Sequence, residues 1–169
     1  MARSFQLTSL FQNLSVRENL RLAAQGRDGL GALNFWRSVE HKRSHWNTAD
    51  QVLERLKLSA RAETLAGELS HGQQRVLEVG MSICAKPSLL MLDEPTSGMG
   101  IDDIPVMTDL ISDLGRDHTV LLIEHNMSIV MSISQRITVM SHGQILVEGT
   151  PEQVRNDERV RTAYLGETA

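Results

Sequence analysis

The fold is decided by the stretch Ser88-Leu89-Leu90-Met91-Leu92-Asp93-Glu94-Pro95, in which an uninterrupted apolar run ends in two adjacent carboxylates. A second run of the same kind follows further along the chain, Thr119-Val120-Leu121-Leu122-Ile123-Glu124. Apolar runs without alternation are typical of strands that are buried on both faces of a parallel sheet. We therefore expect two parallel strands, with the two carboxylates at the carboxyl end of the first.

The segment between the two predicted strands has the pattern of a helix. Residues 102–114 carry apolar side chains at helical spacing, and Gly115 follows as a C-cap. A strand, a helix and a further parallel strand form a βαβ unit, whose crossover is right-handed. This part of the chain therefore predicts an α/β fold.

The first half of the chain is predicted to be mainly helical. Capping boxes at Ser15 and Thr48 each predict a helix start, and a third helix is expected from Ser70 to about Ala85. Residues 27–47 contain two glycines and both tryptophans, and they are predicted to form a loop with some helical turns. The first half is therefore predicted to be helical, whereas the half that follows is predicted to alternate strands with helices.

The C-terminal part combines short helices with a hairpin. Asn126 is the expected N-cap of one short helix, and Thr150 with Pro151 opens a C-terminal helical tail. Between them, two strands are predicted to turn at His142-Gly143. The methionines at 127, 131 and 140 are interpreted as core packing.

Composition excludes several classes of protein. The chain has 169 residues with 17 Lys and Arg against 21 Asp and Glu, so a net charge of −4 argues against nucleic-acid binding by bulk charge. The single cysteine, Cys84, excludes an internal disulfide framework and a cysteine-cluster metal site. The apolar runs are too short to span a bilayer. We expect a soluble protein that reaches a membrane only by docking.

The acidic pair is the first candidate for chemistry. Open α/β sheets bind ligands at the carboxyl ends of their strands, which is where Asp93 and Glu94 are predicted to lie. Because successive side chains of a strand point to opposite sides, the two carboxylates meet different atoms. One can hold Mg²⁺ through its water shell while the other orients a water against a phosphate. The alternative is a strand that simply ends in a charged turn.

The second candidate is the polar loop Leu69-Ser70-His71-Gly72-Gln73-Gln74, which opens the third predicted helix. The free amides and the dipole at a helix start attract anions. Gly72 would let the backbone approach a phosphate closely, and Ser70 adds a hydroxyl group. The alternative is that Ser70 is an ordinary N-cap without a ligand.

Taken in order, these segments resemble the ATP-binding subunit of ABC transporters, and the resemblance covers nearly the whole chain. The polar loop resembles the signature loop, Leu89–Glu94 the Walker B strand, and Pro95–Gly100 the D-loop. His125 falls at the switch histidine and Gln6 in the Q-loop. His71 and Gly100 depart from the usual pattern, since many members have Gly and Asp or Asn there.

Further segments narrow the resemblance to the branched-chain amino acid importer family. They are Arg3-Ser4-Phe5-Gln6, Ile123-Glu124-His125-Asn126-Met127 and the tail Tyr164-Leu165-Gly166. Importers of urea and short amides share the pattern and remain an alternative. Soluble ABC ATPases of DNA repair or translation are a third possibility, against which the tail and the short helical insertion argue.

The resemblance implies a partial RecA-like (P-loop NTPase) parallel sheet with an inserted ABC helical subdomain. We expect residues 1–169 to form one partial ATP-binding domain. Its helical subdomain with the signature loop spans about 12–86, the catalytic α/β core spans 87–149, and a helical tail spans 150–169. The implied cofactors are ATP and Mg²⁺.

Site roles follow from the resemblance, residue by residue. Asp93 holds Mg²⁺ largely through water, and Gln6 contacts Mg²⁺ or the attacking water. Glu94 polarises that water as the catalytic carboxylate, and His125 contacts the γ-phosphate. The signature residues close on the γ-phosphate of ATP bound to a partner subunit, namely Ser70, Gly72 and Gln73.

One family element is missing from the sequence. The 169 residues contain no G-x-x-x-x-G-K-[ST] loop, which supplies the amides and the lysine that cradle the phosphates. We therefore expect an N-terminally truncated chain that hydrolyses no ATP alone. The rival interpretation is a non-catalytic interaction module that docks a membrane permease and lends its signature loop to a full-length partner.

The resemblance also implies partners and a location. They are a second ATP-binding subunit in a homo- or heterodimer, membrane permease subunits and, indirectly, a periplasmic binding protein, with no nucleic acid. The expected location is cytoplasmic and peripheral, on the inner face of the cell membrane.

Overall fold

The structure, a computed structural model, describes residues 2–3, 10–26 and 39–164. The chain divides into two compact units, residues 1–123 and 124–169. Among the described residues, none of the helices combines the length and the apolar character that crossing a membrane requires.

The first unit contains a parallel sheet of three strands in the order β1-β2-β3. The strands are β1 (Ala2–Arg3), β2 (Leu89–Asp93) and β3 (Thr119–Ile123). Between β2 and β3 runs the helix α4 (Ile104–Leu114), with Gly115 as its C-cap. The predicted βαβ unit is therefore confirmed, and its register places Asp93 beside Ile123.

The prediction that both strands are buried on both faces is wrong. In β2 only Leu90 and Leu92 are buried, and they alternate with partly exposed residues. In β3 the side chains of Leu121 and Ile123 are 48% and 51% exposed. In both strands the exposure alternates along the chain, so one face of each strand is less well covered than the other by the described residues.

The described residues of the first unit also form a helical layer of α1 (Val16–Gly26), α2 (Val39–Arg55) and α3 (His71–Cys84). Two short 3₁₀ turns, Ser59–Arg61 and Ala66–Glu68, join α2 to α3. The three helices pack on one another through fully buried or nearly buried apolar side chains, among them Val16, Leu20, Leu53, Leu56, Val76 and Leu77. The predicted starts of α1 and α3 are confirmed.

The prediction that a loop runs to residue 47 and that a new helix starts at Thr48 is wrong. From Val39 onward the predicted loop is part of α2, and Thr48 lies inside this helix. The Thr48 hydroxyl donates to the Ser44 carbonyl oxygen at 3.0 Å, so it does not cap a new helix. The apolar residues that follow, Ala49 and Val52, are buried and hold this turn against the neighbouring helices. The remainder of the predicted loop, 27–38, lies outside the described residues.

The second unit is a small α/β assembly. Its elements are α5 (Met127–Ile133), β4 (Ile137–Ser141), β5 (Gln144–Gly149), α6 (Pro151–Asn156) and α7 (Glu158–Tyr164). The predicted caps Asn126 and Thr150 are confirmed by hydrogen bonds from the amides of Ser128 and Gln153. The strands β4 and β5 pair antiparallel, as the sequence predicts.

Backbone conformation explains the hairpin turn of the second unit, and the alternation of side chains along β4 explains which of its residues enter the core. His142 and Gly143 both have positive φ, 50° and 76°, which a tight two-residue hairpin turn requires. The core contains Ile137, Val139, Val154 and Val160, with Met127 and Met131 packed against it. Met140 is 55% exposed, so its predicted core position is wrong, because β4 alternates and its neighbour Val139 takes the inward side.

Candidate functional site

The acidic pair lies at the carboxyl end of β2. Asp93 is the last residue of the strand and is in register with Ile123 of β3. The amide of Glu94 donates to the Ile123 carbonyl oxygen at 2.9 Å, so the chain leaves the sheet at Glu94. Two parallel strands therefore present both carboxylates at the sheet edge where α/β proteins bind ligands.

The backbone at Glu94 adopts a conformation that is uncommon for a residue with a side chain. Its φ is +44°, in the left-handed region that favours glycine. The turn that follows is closed by the Ser97 amide, which donates to the Glu94 carbonyl oxygen at 3.1 Å, and Thr96 is buried. Backbone strain of this kind clusters at functional sites. The conformation thus marks a tight turn at the end of β2, and Lys57, Lys86 and His142 are further non-glycine residues with positive φ.

The donor set at this edge suits a magnesium ion that keeps most of its water. Among the described residues, no group of three or more His, Cys, Asp or Glu side chains is placed to hold a metal ion. Mg²⁺ dehydrates reluctantly and is commonly held by one or two carboxylates together with substrate phosphates. A single aspartate at a strand end, as Asp93 is, fits that mode of binding.

The polar loop before α3 caps its helix with its own side chains. The Ser70 hydroxyl accepts a hydrogen bond from the Gln73 amide at 3.2 Å, and the Gln73 side-chain oxygen accepts one from the Ser70 amide at 3.2 Å. This reciprocal pair is a complete capping box. Ser70 and Gln73, two of the predicted phosphate contacts, therefore satisfy each other in this structure.

The third predicted contact, Gly72, is buried. A Cβ added at Gly72 would overlap the carboxylate of Asp103, which lies directly against the glycine. Nearby, a Cβ added at Gly98 would lie 3.3 Å from Nε2 of His71. The loop that follows β2 thus packs on the start of α3, and the Asp103 side chain lies against one of the predicted phosphate contacts, Gly72. Asp103 was not predicted from the sequence, since no spacing or motif links it to Gly72.

Two further predicted residues are His125 and Gln6. His125 is exposed and stands two positions beyond the end of β3, at the start of the second unit. Gln6 lies outside the described residues. The structure therefore brings together the acidic pair at one sheet edge and the signature residues at one helix start.

Cys84 takes no part in this chemistry. It is buried at the end of α3, and burial raises the pKa of its thiol to about 12. A thiol with so high a pKa carries almost no thiolate at neutral pH and is a poor nucleophile. The interpretation of Cys84 as a small buried hydrophobic residue is confirmed.

Two family models match the chain, one over its first part and one over its C-terminal residues. Residues 1–97, more than half of the 169, match the model described as ABC transporter. Residues 144–169 match the model described as branched-chain amino acid ATP-binding cassette transporter.

Relatives and solved structures agree with these matches. The chain is 38% identical to the high-affinity branched-chain amino acid transport ATP-binding protein LivG of Escherichia coli K12, over 99% of the chain and 68% of LivG. It is 40% identical to the corresponding protein BraF of Pseudomonas aeruginosa, again over 99% of the chain and 68% of the relative. A solved structure of MJ1267, an ATP-binding cassette of an ABC transporter, superposes with a TM-score of 0.78 at 29% identity, over 98% of the chain and 68% of that structure.

These matches identify the parallel sheet of this chain as part of the RecA-like fold of the family. The chain therefore belongs to the ATP-binding proteins of ABC transporters, a family of ATPases.

Proposed function

We propose that the chain serves as the ATP-binding subunit of an importer for branched-chain amino acids. The names of LivG and BraF, together with the match over residues 144–169, support this substrate class. Urea and short amides are less well supported, because neither LivG nor BraF is named for them. ATP and Mg²⁺ are the cofactors in this proposal, and hydrolysis drives transport through association of two ATP-binding subunits.

The position of the acidic pair is the observation that carries the proposal. Asp93 and Glu94 leave β2 at the carboxyl edge of the sheet, with Glu94 held in a left-handed backbone conformation. In the proposal Asp93 and Gln6 hold Mg²⁺ largely through water, and the ion neutralises charge on the phosphates. Glu94 polarises the attacking water, and His125 contacts the γ-phosphate. This is phosphoryl transfer to water, in which positioning and charge stabilisation supply the catalysis.

The second half of the proposed site belongs to a different ATP molecule. Ser70, Gly72 and Gln73 close on the γ-phosphate of ATP held by a partner subunit, in a homo- or heterodimer. The proposed helical subdomain, residues 12–86, docks membrane permease subunits at the cytoplasmic face of the membrane, and a periplasmic binding protein acts through them. The catalytic core is assigned to 87–149 and the tail to 150–169.

The chain by itself is proposed to bind ATP weakly and to turn none over. Its sequence contains no glycine-rich loop ending in Lys-Ser or Lys-Thr, and that loop supplies most of the phosphate contacts in this family. The carboxylates and the histidine can act only where phosphates are held. A phosphate loop supplied from another segment is therefore a condition of activity.

A chimera tests this proposal. The upstream segment of a full-length family member, carrying its phosphate loop, is joined to Met1, and ATP binding and hydrolysis are measured beside the 169-residue chain. We expect no hydrolysis from the chain and Mg²⁺-dependent hydrolysis from the chimera. In the chimera, Glu94→Gln should lower kcat by about 100-fold or more while ATP binding is kept, because a general base contributes on that scale.

The matched control is Glu152→Gln, which makes the same change at an exposed position of the second unit. It should leave kcat unchanged. Micromolar ATP binding by the 169-residue chain would contradict its proposed weakness. An active chimera with Glu94→Gln would contradict the role of Glu94.

A further inference from the structure

The second unit contains a cavity to which the proposed ATP chemistry gives no role. Its volume is about 320 Å³, and it is lined by side chains of the three helices α5, α6 and α7. Pockets that bind small molecules have volumes of about 300–1,000 Å³. The cavity is therefore large enough for a ligand, and it suits a small one.

Part of the lining is apolar. Met127 and Met131 of α5 lie four residues apart, so they are neighbours on one face of that helix, and both line the cavity. The buried Val160 of α7 lines it too, and the two methionines pack against the core cluster to which Val160 belongs. Methionine side chains are flexible and adapt to irregular apolar shapes. The cavity thus offers an aliphatic group a surface that is continuous with the core of the second unit.

Another part of the lining is positively charged. Arg155 in the last turn of α6 and Arg161 in the last turn of α7 both line the cavity, and both are exposed. In the described part of the second unit neither of them takes part in an ion pair, whereas the nearby Arg159 is paired with Asp157 at 2.8 Å. Because a guanidinium group can bind both oxygens of a carboxylate, these two arginines indicate an anionic ligand.

The rest of the lining argues against a positive charge on the ligand. Among the described residues that line the cavity, none is acidic. The remaining polar groups are the hydroxyls of Ser128 and Ser132, and the Ser132 hydroxyl donates to the Ile129 carbonyl oxygen at 2.7 Å. An ammonium group on the ligand would therefore find no carboxylate and would lie near two guanidinium groups of the same charge. The lining favours an anion over a zwitterion or a cation.

We propose that this cavity binds a small aliphatic carboxylate without an ammonium group. Its hydrocarbon chain lies against Met127, Met131 and Val160, and its carboxylate is bound by Arg155 and Arg161. None of the described residues with a proposed role in ATP binding lines the cavity, so this is a second ligand site on the chain. The inference does not depend on the proposed function.

The test uses the 169-residue chain and isocaproate, which is leucine without its ammonium group. Binding is followed by methionine methyl signals in ¹H–¹³C NMR spectra. Met127 and Met131 report on the cavity, and Met107, which is buried in the first unit, is the reference. Leucine, isohexylamine and acetate are the comparison ligands, because they add an ammonium group, reverse the charge or remove the chain.

Three variants test the charged part of the lining. Arg155→Gln and Arg161→Gln each remove one guanidinium group from the cavity. The matched control is Arg136→Gln, which makes the same change of charge at an exposed arginine of the second unit that does not line the cavity. All three positions are exposed, so the variants should fold as the wild type does.

We expect isocaproate to bind at least about tenfold more tightly than leucine, isohexylamine or acetate, since only isocaproate combines the chain with an unopposed negative charge. Arg155→Gln and Arg161→Gln should each weaken the binding of isocaproate by about fivefold, because each removes charged hydrogen-bond donors that are partly screened by solvent. Arg136→Gln should bind isocaproate within about twofold of the wild type.

Every other result would overturn the proposal in a defined way. If isocaproate leaves the signals of Met127 and Met131 unchanged, the cavity is not a ligand site. Equal binding of isocaproate and isohexylamine, or cavity variants that bind as the Arg136→Gln control does, would show that the arginines select no anion. Leucine that binds as tightly as isocaproate would contradict the exclusion of an ammonium group. None of these results would change the roles proposed for the ATP-binding residues.

Discussion

At the scale of single residues, Glu94 combines its proposed catalytic role with an unfavourable backbone conformation. A left-handed φ of +44° costs a residue with a Cβ about 1–2 kcal/mol relative to glycine. The turn after β2 nevertheless carries glutamate, held by hydrogen bonds at its amide and carbonyl groups. The position therefore favours the carboxylate over local stability, which is typical of a functional site.

This strain predicts that glycine at position 94 gives a more stable chain than alanine does. Glu94→Gly should be more stable than Glu94→Ala by about 0.5–1 kcal/mol, since relief of the left-handed penalty exceeds the entropy that glycine adds to the unfolded chain. Urea denaturation measures the difference. At Glu54, an exposed position within α2, the order should reverse, with Gly less stable than Ala by about 1 kcal/mol. The same order at both sites would contradict a strained Glu94.

At the scale of elements, the helical layer depends on close approach at one glycine. A Cβ added at Gly80 of α3 would overlap Cδ1 of Leu56 and lie 3.2 Å from Cδ2 of Leu20. Both leucines are buried, so neither side chain can move aside freely. Elsewhere α2 is tied to α4 by Arg55, whose Nε lies 2.7 Å from Oδ2 of Asp113. Close packing thus holds the helices of the layer together, and this ion pair links the layer to α4.

The packing at Gly80 predicts a coupled effect of two substitutions. Gly80→Ala should destabilise the chain by about 1 kcal/mol or more, because overpacking outweighs the gain of about 1 kcal/mol in helix propensity. In a Leu56→Ala background the same change should become neutral or stabilising, since the overlapping atoms are gone. A double-mutant cycle by thermal and urea unfolding measures this coupling. Additive effects would show that Gly80 and Leu56 are not in close contact.

At the scale of the whole molecule, the edge strand β3 is the feature that we expect to affect aggregation most. The strand β3 is the last strand of its sheet among the described residues, and it exposes Leu121 and Ile123. An apolar edge strand with open hydrogen-bonding groups can pair with the edge of another molecule.

A charge on this strand should therefore reduce aggregation. Leu121→Lys is expected to slow aggregation on warming by severalfold, followed by light scattering, because a lysine on an edge strand opposes strand pairing. Val106→Lys is the matched control, since Val106 is a similarly exposed apolar residue, but on the helix α4. It should leave the aggregation rate near that of the wild type. Equal protection by both lysines would indicate an effect of net charge instead of the edge.

Much of the architecture could be predicted from local pattern alone. The strands β2 and β3, the helix between them and the caps at Ser15, Ser70 and Thr150 were predicted because apolar periodicity and capping act within a few residues. The order of the motifs likewise predicts the family, since several short segments must occur at a fixed spacing. These properties depend on neighbours in the sequence, which a single chain already displays.

The rest depended on contacts between distant residues. The burial of each face of β2 and β3 depends on which elements pack on the sheet. The continuation of α2 through Thr48 depends on packing against other helices, and the side of Met140 depends on the register of the hairpin. The contact of Asp103 with Gly72 joins residues of separate elements and follows no motif. The sequence by itself determined most of the local elements and the order of the motifs that identifies the family. Only the tertiary structure decided which side chain packs against Gly72, because that depends on how separate elements approach one another in space.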